Sequence, residues 1–296
     1  MSQKLYRCTY DNKILTEKAL SKGVCAGHTL VPHEPDEDHK VYQVAVSVPS
    51  ESLIKCDAYD NHMINIFRLG GLQERWRYER RNPRYEFAFF TAGRMITPMA
   101  REKLTTTALD HGMDYMIMYD DDMLIPYDAF PKLLEDMEAH PEIDILAPLA
   151  FMRSAPHYAV IYTTKEGYDP VRHTDYYINH WVKNYPKDRL VECDAVGFGM
   201  VVIRMEMVKR MQKPYFFSMS ATGEDILFCV NARKQAKARV FVDTRIKLGH
   251  LGESIIIDEA YREKYVKEHN EKLVNVAYKY PIEEIDPAEK FNSLDR

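Results

Sequence analysis

Three aspartates in a row, Asp120-Asp121-Asp122, follow the apolar run Tyr115-Met-Ile-Met-Tyr119 with no residue between. Adjacent carboxylates repel one another, and a divalent cation with hard oxygen ligands, Mg²⁺ or Mn²⁺, removes that penalty. On an extended segment residues two apart share a face, so Asp120 and Asp122 can point at one site. The same triplet also suits a solvated acidic turn that caps the next helix. A second acidic pair, Glu224-Asp225, opens an amphipathic stretch after Gly223. Acids in a first helical turn are common because the helix dipole favours them. Arg94 and Arg101 are seven residues apart, about two turns and one face of a helix, where guanidinium groups clamp phosphates in pairs of hydrogen bonds. Solvated helix arginines fit that spacing too. Gly197 and Gly199 would let backbone come close to a ligand, or mark a strand-end bulge.

The elements that position these residues follow from periodicity. Val41–Val48 reads as a buried strand ending in a Pro49-Ser50 loop. Residues 59–67 are weakly helical. Residues 68–84 hold six arginines, two glutamates and Gly70-Gly71, and read as a mobile loop. A helix is expected from Thr91 to about Gly112. Tyr115–Tyr119 is a strand that runs into the aspartates, and a helix follows from an Asp128 N-cap to Ala139. Ile143–Leu146 and Tyr158–Tyr162 are strands, and 164–190 reads as a long loop. Ala195–Ile203 is a strand or tight strand entry, Met205–Met211 a short helix and Glu224–Lys237 a helix. Arg239–Val242 is a strand, Gly249-His250-Leu251 a turn and Glu259–Glu271 a helix. Strands alternating with helices imply an α/β fold with a mostly parallel sheet. The carboxyl ends of such strands form the ligand crevice.

Composition excludes several classes. The chain has 296 residues, 45 acidic against 40 basic, and a net charge of −5. A globally basic nucleic-acid binder is disfavoured. No apolar stretch reaches the roughly 18 to 20 residues of a membrane span. The start, Met1-Ser-Gln-Lys-Leu5, lacks an apolar signal core, and five scattered cysteines read as reduced thiols. The expectation is a cytoplasmic protein with no membrane partner, in host cytoplasm if viral. GxxxxGK[ST], GxGxxG after the first strand, GxSxG and HExxH are all absent, which disfavours a P-loop NTPase, a dinucleotide-binding domain, an α/β-hydrolase and a zincin.

Four ordered segments carry a resemblance. They are Val46-Ser-Val-Pro-Ser50; Ala92-Gly-Arg94 with Ala100-Arg-Glu-Lys103; Tyr115–Asp122 with Ile125-Pro126; and Asp194–Arg204 followed by Gly223–Phe228, Asp243 and Gly249-His250. Together they resemble a GT-A glycosyltransferase of the family 2 type, including forms found in bacteriophages. Glu102 departs from the Asn or Asp usual in that family. The resemblance implies a metal-dependent enzyme that moves a sugar from a UDP- or GDP-sugar to an acceptor hydroxyl. It implies Pro49, Ser50, Arg94, Arg101, Asp120, Asp121, Gly197 and Gly199 around the nucleotide sugar. It implies Asp120, Asp122 and His250 on Mn²⁺ or Mg²⁺. It also implies Asp225 as catalytic base, with Glu224 beside it on the acceptor. Family 2 implies inversion, yet retaining GT-A enzymes share these parts. The domain would span 41–296, with a nucleotide-sugar half over about 41–150, an acceptor half over about 151–255 and a helical tail over about 256–296. Residues 1–40 would be an N-terminal extension or small subdomain.

Two further segments invite partners. Arg68–Arg84, with Trp76, Tyr78 and Tyr85, mixes basic and aromatic side chains, suiting either DNA, such as a modified phage base, or a lid over the diphosphate. Cys8, Cys25, His28 and His33 could ligate zinc, although the usual close first pair is missing. Two competing readings remain: a sugar-1-phosphate nucleotidyltransferase, which usually has a Gly-rich first loop, and a non-catalytic nucleic-acid or carbohydrate-binding protein.

Overall fold

The computed structural model describes residues 5–8, 14–16, 30–33, 40–50, 56–79, 81, 84–169, 174–219, 222–252, 256–268 and 293–294. Three short strands, β1 (Leu5–Cys8), β2 (Ile14–Thr16) and β3 (Leu30–His33), form a sheet of their own. The zinc question turns on Cys25 and His28, which lie outside the described residues.

The main body is α/β. Its strands are β4 (Val41–Ser50), β5 (Arg84–Gly93), β6 (Tyr115–Tyr119), β8 (Ile145–Leu149), β11 (Leu190–Cys193), β13 (Met200–Arg204), β14 (Val240–Lys247) and β17 (Ser293–Leu294). They form one sheet in the order β17-β11-β14-β8-β13-β6-β4-β5. Only β13 and β11 run against the rest, so the expected mostly parallel sheet is present. All five residues of β6 are buried, as expected of a strand covered on both faces. Met116 and Met118 join one core cluster, while Tyr115, Ile117 and Tyr119 join the other. The aspartates begin where this double burial ends, at the carboxyl edge of the sheet.

Helices cover both faces: α1 (Cys56–Tyr78), α2 (Thr97–Asp110), α3 (Ala129–Ala139) and α5 (Glu224–Ala236), with a four-residue α4 (Met205–Val208) and a terminal α6 (Glu259–Glu268). Asp128 sits at the N-cap of α3 as expected, but its carboxylate pairs with Lys132 rather than capping a backbone amide.

Three expectations are corrected. The segment Arg68–Arg84 is not a loop: α1 continues to Tyr78, and Arg84 begins β5. Gly70 and Gly71 each weaken a helix by about 1 kcal/mol. Buried Leu69 and Trp76, with the Arg75–Glu79 and Arg77–Glu74 pairs, offset that cost. Trp76 packs edge-on to Tyr85 in the core, so it cannot stack on a nucleic-acid base. The helix expected from Thr91 starts only at Thr97, because residues 84–93 pair along their whole length with β4, which itself takes in Pro49 and Ser50. The loop expected over 164–190 contains an antiparallel ribbon, β9 (Ile161–Asp169) with β10 (Thr174–Trp181), whose register runs from Thr174 opposite Asp169 to Trp181 opposite Tyr162.

Candidate active site

The site forms where β6, α2, α5 and two short strands meet. Alternation along β6 puts Asp120 on the same side as Met118, towards α2. The Asp120 amide donates to the Gly199 carbonyl at 3.0 Å, which ties the strand end to the start of β13. Its Oδ1 accepts from Arg101 at 2.7 Å. The other guanidinium nitrogen of Arg101 donates to Glu224 Oε1 at 2.9 Å. Arg101 is only 3% exposed and lies over the Phe198 ring. It is therefore an internal cation joining the acidic strand end to the first residue of α5. Its Nε is buried without a hydrogen-bond partner.

Asp122 faces a different set of partners. The expectation that Asp120 and Asp122 share one extended face fails, because residues 121–122 form a turn and the Met123 amide donates back to Asp120 O at 3.3 Å. Asp122 Oδ2 lies 3.2 Å from His250 Nε2 and 3.1 Å from the Arg153 guanidinium. A short ladder brings His250 there: β15 (Gly249–Leu251) pairs antiparallel with β7 (Met123–Leu124), placing His250 opposite Met123. His250 is thus on a strand rather than a turn. Its Nδ1 donates to the Phe151 carbonyl at 2.8 Å. That leaves Nε2 aimed at the carboxylate, where it must either carry a proton or share a cation. Burial alone would lower the His250 pKa, but the Asp122 carboxylate and the Phe151 carbonyl outweigh it and raise the pKa.

These groups fit a divalent cation in chemistry. A carbonyl on Nδ1 orients a ligating imidazole in the way metal sites use. Arg101 occupies Asp120 Oδ1 and leaves Oδ2 to a ligand. Asp122 and His250 meet, whereas Asp120 turns to Arg101, and among the described residues no three His, Cys, Asp or Glu side chains are grouped so as to hold an ion.

Asp225 follows Glu224 in the first turn of α5, with Gly223 as N-cap. Desolvation is the main cause that pushes the Asp225 pKa up to about 6; Glu224 and Asp120 add to it, while Arg101 and the Ile226 amide oppose it. Asp120 is also pushed up, first by burial and then by Asp122 and Glu224, against the pull of Arg101.

Several expected site residues take other roles. Arg94 is not on the Arg101 helix. It sits at the end of β5 with φ 58°, exposed, and its amide donates to the Ser50 carbonyl at 3.1 Å. Pro49 and Ser50 lie at the same sheet edge, paired with Ala92 and Gly93. Gly197 and Gly199 face packed protein: an added Cβ would meet Val160 Cβ at 2.8 Å and the Met123 side-chain end at 3.1 Å. Neither glycine opens the backbone to a ligand. Asp121 is partly exposed in the turn. Asp243 is buried in a structural cluster with Arg245 and Asp136. Glu102, the departure from the family pattern, accepts from the Tyr215 and Phe216 amides at 2.8 and 3.0 Å, and so anchors the segment ahead of α5.

Sequence reasoning missed the residues that hold the acidic turn. On α1, Asn61 donates to the Ile125 carbonyl and accepts from its amide, and Asn65 donates to the same carbonyl. His62, 5% exposed, donates from Nε2 to the Met123 carbonyl at 2.9 Å. Burial lowers its pKa despite the nearby carboxylates. Asn61 and Asn65, one helical turn apart with His62 beside Asn61, were the available signal in a weakly helical segment. Arg153 had none.

No protein-family model and no curated protein matches the chain. Several solved structures resemble its outline. Protein A197 from STIV is 16% identical, with 74% of this chain and 91% of that chain covered at TM-score 0.49. The catalytic domain of Drosophila beta1,4galactosyltransferase 7 is 15% identical, with 80% and 85% covered at 0.37. The 4-diphosphocytidyl-2C-methyl-D-erythritol synthase of Anaerococcus prevotii is 11% identical, with 79% and 97% covered at 0.38. These likenesses concern the path of the chain, and no residue role is taken from them.

Proposed function

We propose that the chain is a GT-A glycosyltransferase that moves a sugar from a UDP- or GDP-sugar to an acceptor hydroxyl, aided by Mn²⁺ or Mg²⁺. The Asp120–Arg101–Glu224 bridge carries this reading. It holds an acidic strand end, suited to a cation and a diphosphate, one guanidinium away from the helix start that bears Asp225. Asp120, Asp122 and His250 would hold the cation, which when bound supplies positive charge to the departing nucleoside diphosphate.

The chain's own residues do the rest. Arg101 fixes the Asp120 rotamer on one side and Glu224 on the other. Asp225 takes the acceptor hydroxyl proton. A carboxylate with pKa about 6 is mostly ionised at neutral pH and is a stronger base than an ordinary one. Glu224, held by Arg101, lines the acceptor side.

The raised Asp225 also favours this reading over a sugar-1-phosphate nucleotidyltransferase. There the nucleophile is a phosphate, already anionic at neutral pH, and needs no base. A hydroxyl acceptor does.

Turnover of a panel of UDP- and GDP-sugars in Mn²⁺ tests the proposal. Release of nucleoside diphosphate, abolished in Asp122→Ala, is the expected result. Pyrophosphate release in a parallel incubation with a nucleoside triphosphate and a sugar 1-phosphate would transfer the assignment to nucleotidyl transfer. Silence, together with no Mn²⁺-dependent nucleoside diphosphate binding by calorimetry, would sink it.

A further inference from the structure

Helix α1 has two seams, and the fold uses one of them. Ala58, His62, Asn65, Leu69 and Trp76 are buried against the rest of the chain. The opposite side carries Asp60, Ile64, Phe67, Gly71, Glu74 and Tyr78, and all six are exposed. Their alternating spacing of four and three residues is the seam by which one helix packs along another. Large apolar and aromatic side chains stand bare on it: Ile64 is 50% exposed, Phe67 74% and Tyr78 75%. Beside Phe67, a Cβ added at Gly70 or Gly71 would meet nothing within 4 Å, so helix backbone lies open there. Within one chain those glycines only weaken the helix. Charge is split along the helix as well. Residues 56–66 hold Asp57 and Asp60 and no lysine or arginine, whereas residues 67–81 hold five arginines against two glutamates.

We propose that this outer seam is a dimer interface: two copies of the chain meet across a two-fold axis with their α1 helices antiparallel. A second copy supplies what the face lacks. Reversal about a centre near residue 69 sets Phe67 of each helix over the bare backbone at Gly71 of the other, a large side chain against the smallest. The same reversal sets Tyr78 beside Asp60, and the acidic start at Asp57 beside the basic end at Arg81. The positive N-terminal end of each helix dipole then lies by the negative C-terminal end of the other. An isologous contact of this kind makes each of these pairings twice. Other occupants fit less well. Asp60 and Glu74 share the seam with the apolar residues, so a phosphate backbone or an anionic lipid would meet like charge there. No seam residue belongs to the acidic site, so dimerisation stands independently of the glycosyltransferase reading.

Sedimentation velocity of the full chain over a range of concentrations tests this. Wild type should pass from monomer to dimer as concentration rises. Gly71→Leu should weaken the dimer about 10-fold or more, the scale of a lost central contact. Its monomer, compared with wild type by urea unfolding at dilution, should be at least as stable, because leucine is the better helix former and the space at Gly71 is open. That comparison separates a blocked interface from a damaged fold. Register is read by mixing Phe67→Cys with Gly71→Cys under mild oxidation. A disulfide between the two different chains, located by mass spectrometry, should form in several-fold excess over one within either pure variant, since only the mixed pair brings the two cysteines level. A wild type that stays monomeric at every concentration overturns the proposal, whether or not that monomer floats with phosphatidylserine vesicles. Undiminished dimers of Gly71→Leu, or equal disulfide yields in mixed and pure samples, overturn the assignment to α1.

Discussion

Arg101 and Asp225 sit at opposite ends of one electrostatic problem: three acids, Asp120, Glu224 and Asp225, crowd around a single buried cation. Removing Arg101 leaves Asp120 and Glu224 without their partner. Breaking a buried pair this way costs about 3 kcal/mol. Arg101→Met should therefore lower the urea midpoint by that equivalent, with little change in the slope. Asp225 makes the opposite prediction. Its pKa in the folded chain, about 6, lies above the ordinary aspartate value of 3.8. A raised carboxylate contributes stability below its unfolded pKa and loses that contribution as pH rises towards 6. Asp225→Asn should therefore melt higher than wild type at pH 7, with the gap closing below about pH 4. The same variant should lose about 10²- to 10⁴-fold in turnover, the usual range for a general base. In wild type, turnover should rise with pH through about 6 and then level off. A variant that loses both stability and activity would argue against the role of base.

At the scale of elements, the short β7–β15 ladder decides whether His250 reaches Asp122. Gly249 sits in that ladder with almost no spare room. An added Cβ would stand 2.9 Å from Ile256 Cγ2 and 3.2 Å from Leu124 Cβ. Gly249→Ala should push β15 away from β7 and carry the His250 imidazole off the carboxylate. The main sheet does not depend on this ladder. The expected result is a chain that melts within a few degrees of wild type but binds Mn²⁺ with nucleoside diphosphate about 10-fold more weakly, since small displacements at a ligand are costly. Equal binding by calorimetry would show that the ladder does not position the histidine. The Asn61 and Asn65 hydrogen bonds to Ile125 hold the other strand of the ladder in the same way, from α1.

For the molecule as a whole, two cores lie on the two faces of one sheet, and no described helix is long and apolar enough to cross a membrane. Cys193 and Cys229 are both buried in one of those cores. Burial pushes the Cys229 thiol up to about 12 and raises Cys193 as well. Thiolate, not thiol, reacts with alkylating agents. Iodoacetamide labelling of these two cysteines, followed peptide by peptide by mass spectrometry, should therefore track global unfolding in urea. Labelling of either one well before the unfolding transition would reveal a local opening of the sheet–α5 interface.

The strand Tyr115–Tyr119, the acids at its end and the acidic start of α5 were legible in the sequence. A continuous apolar run that stops at charge, and acids after a glycine, are local patterns that need no partner to be read. The arrangement of these parts was not legible. Asp120 and Asp122 were expected to face one point because extended backbone alternates, but a turn sends them to Arg101 and to His250. Arg94 and Arg101 were expected on one helix because their spacing allows it, but pairing of residues 84–93 with β4 overrode that propensity. Gly197 and Gly199 looked like access for a ligand, whereas Val160 and Met123 fill the space beside them. The arginine-rich stretch looked like a loop from its glycines, yet burial of Leu69 and Trp76 keeps it helical. The chain's own order of residues thus determined the chemistry available and its place at a sheet edge. Tertiary structure alone decided which groups meet, because a buried guanidinium, a short ladder and the Arg153 side chain on Asp122 make contacts between segments 19 to 128 residues apart.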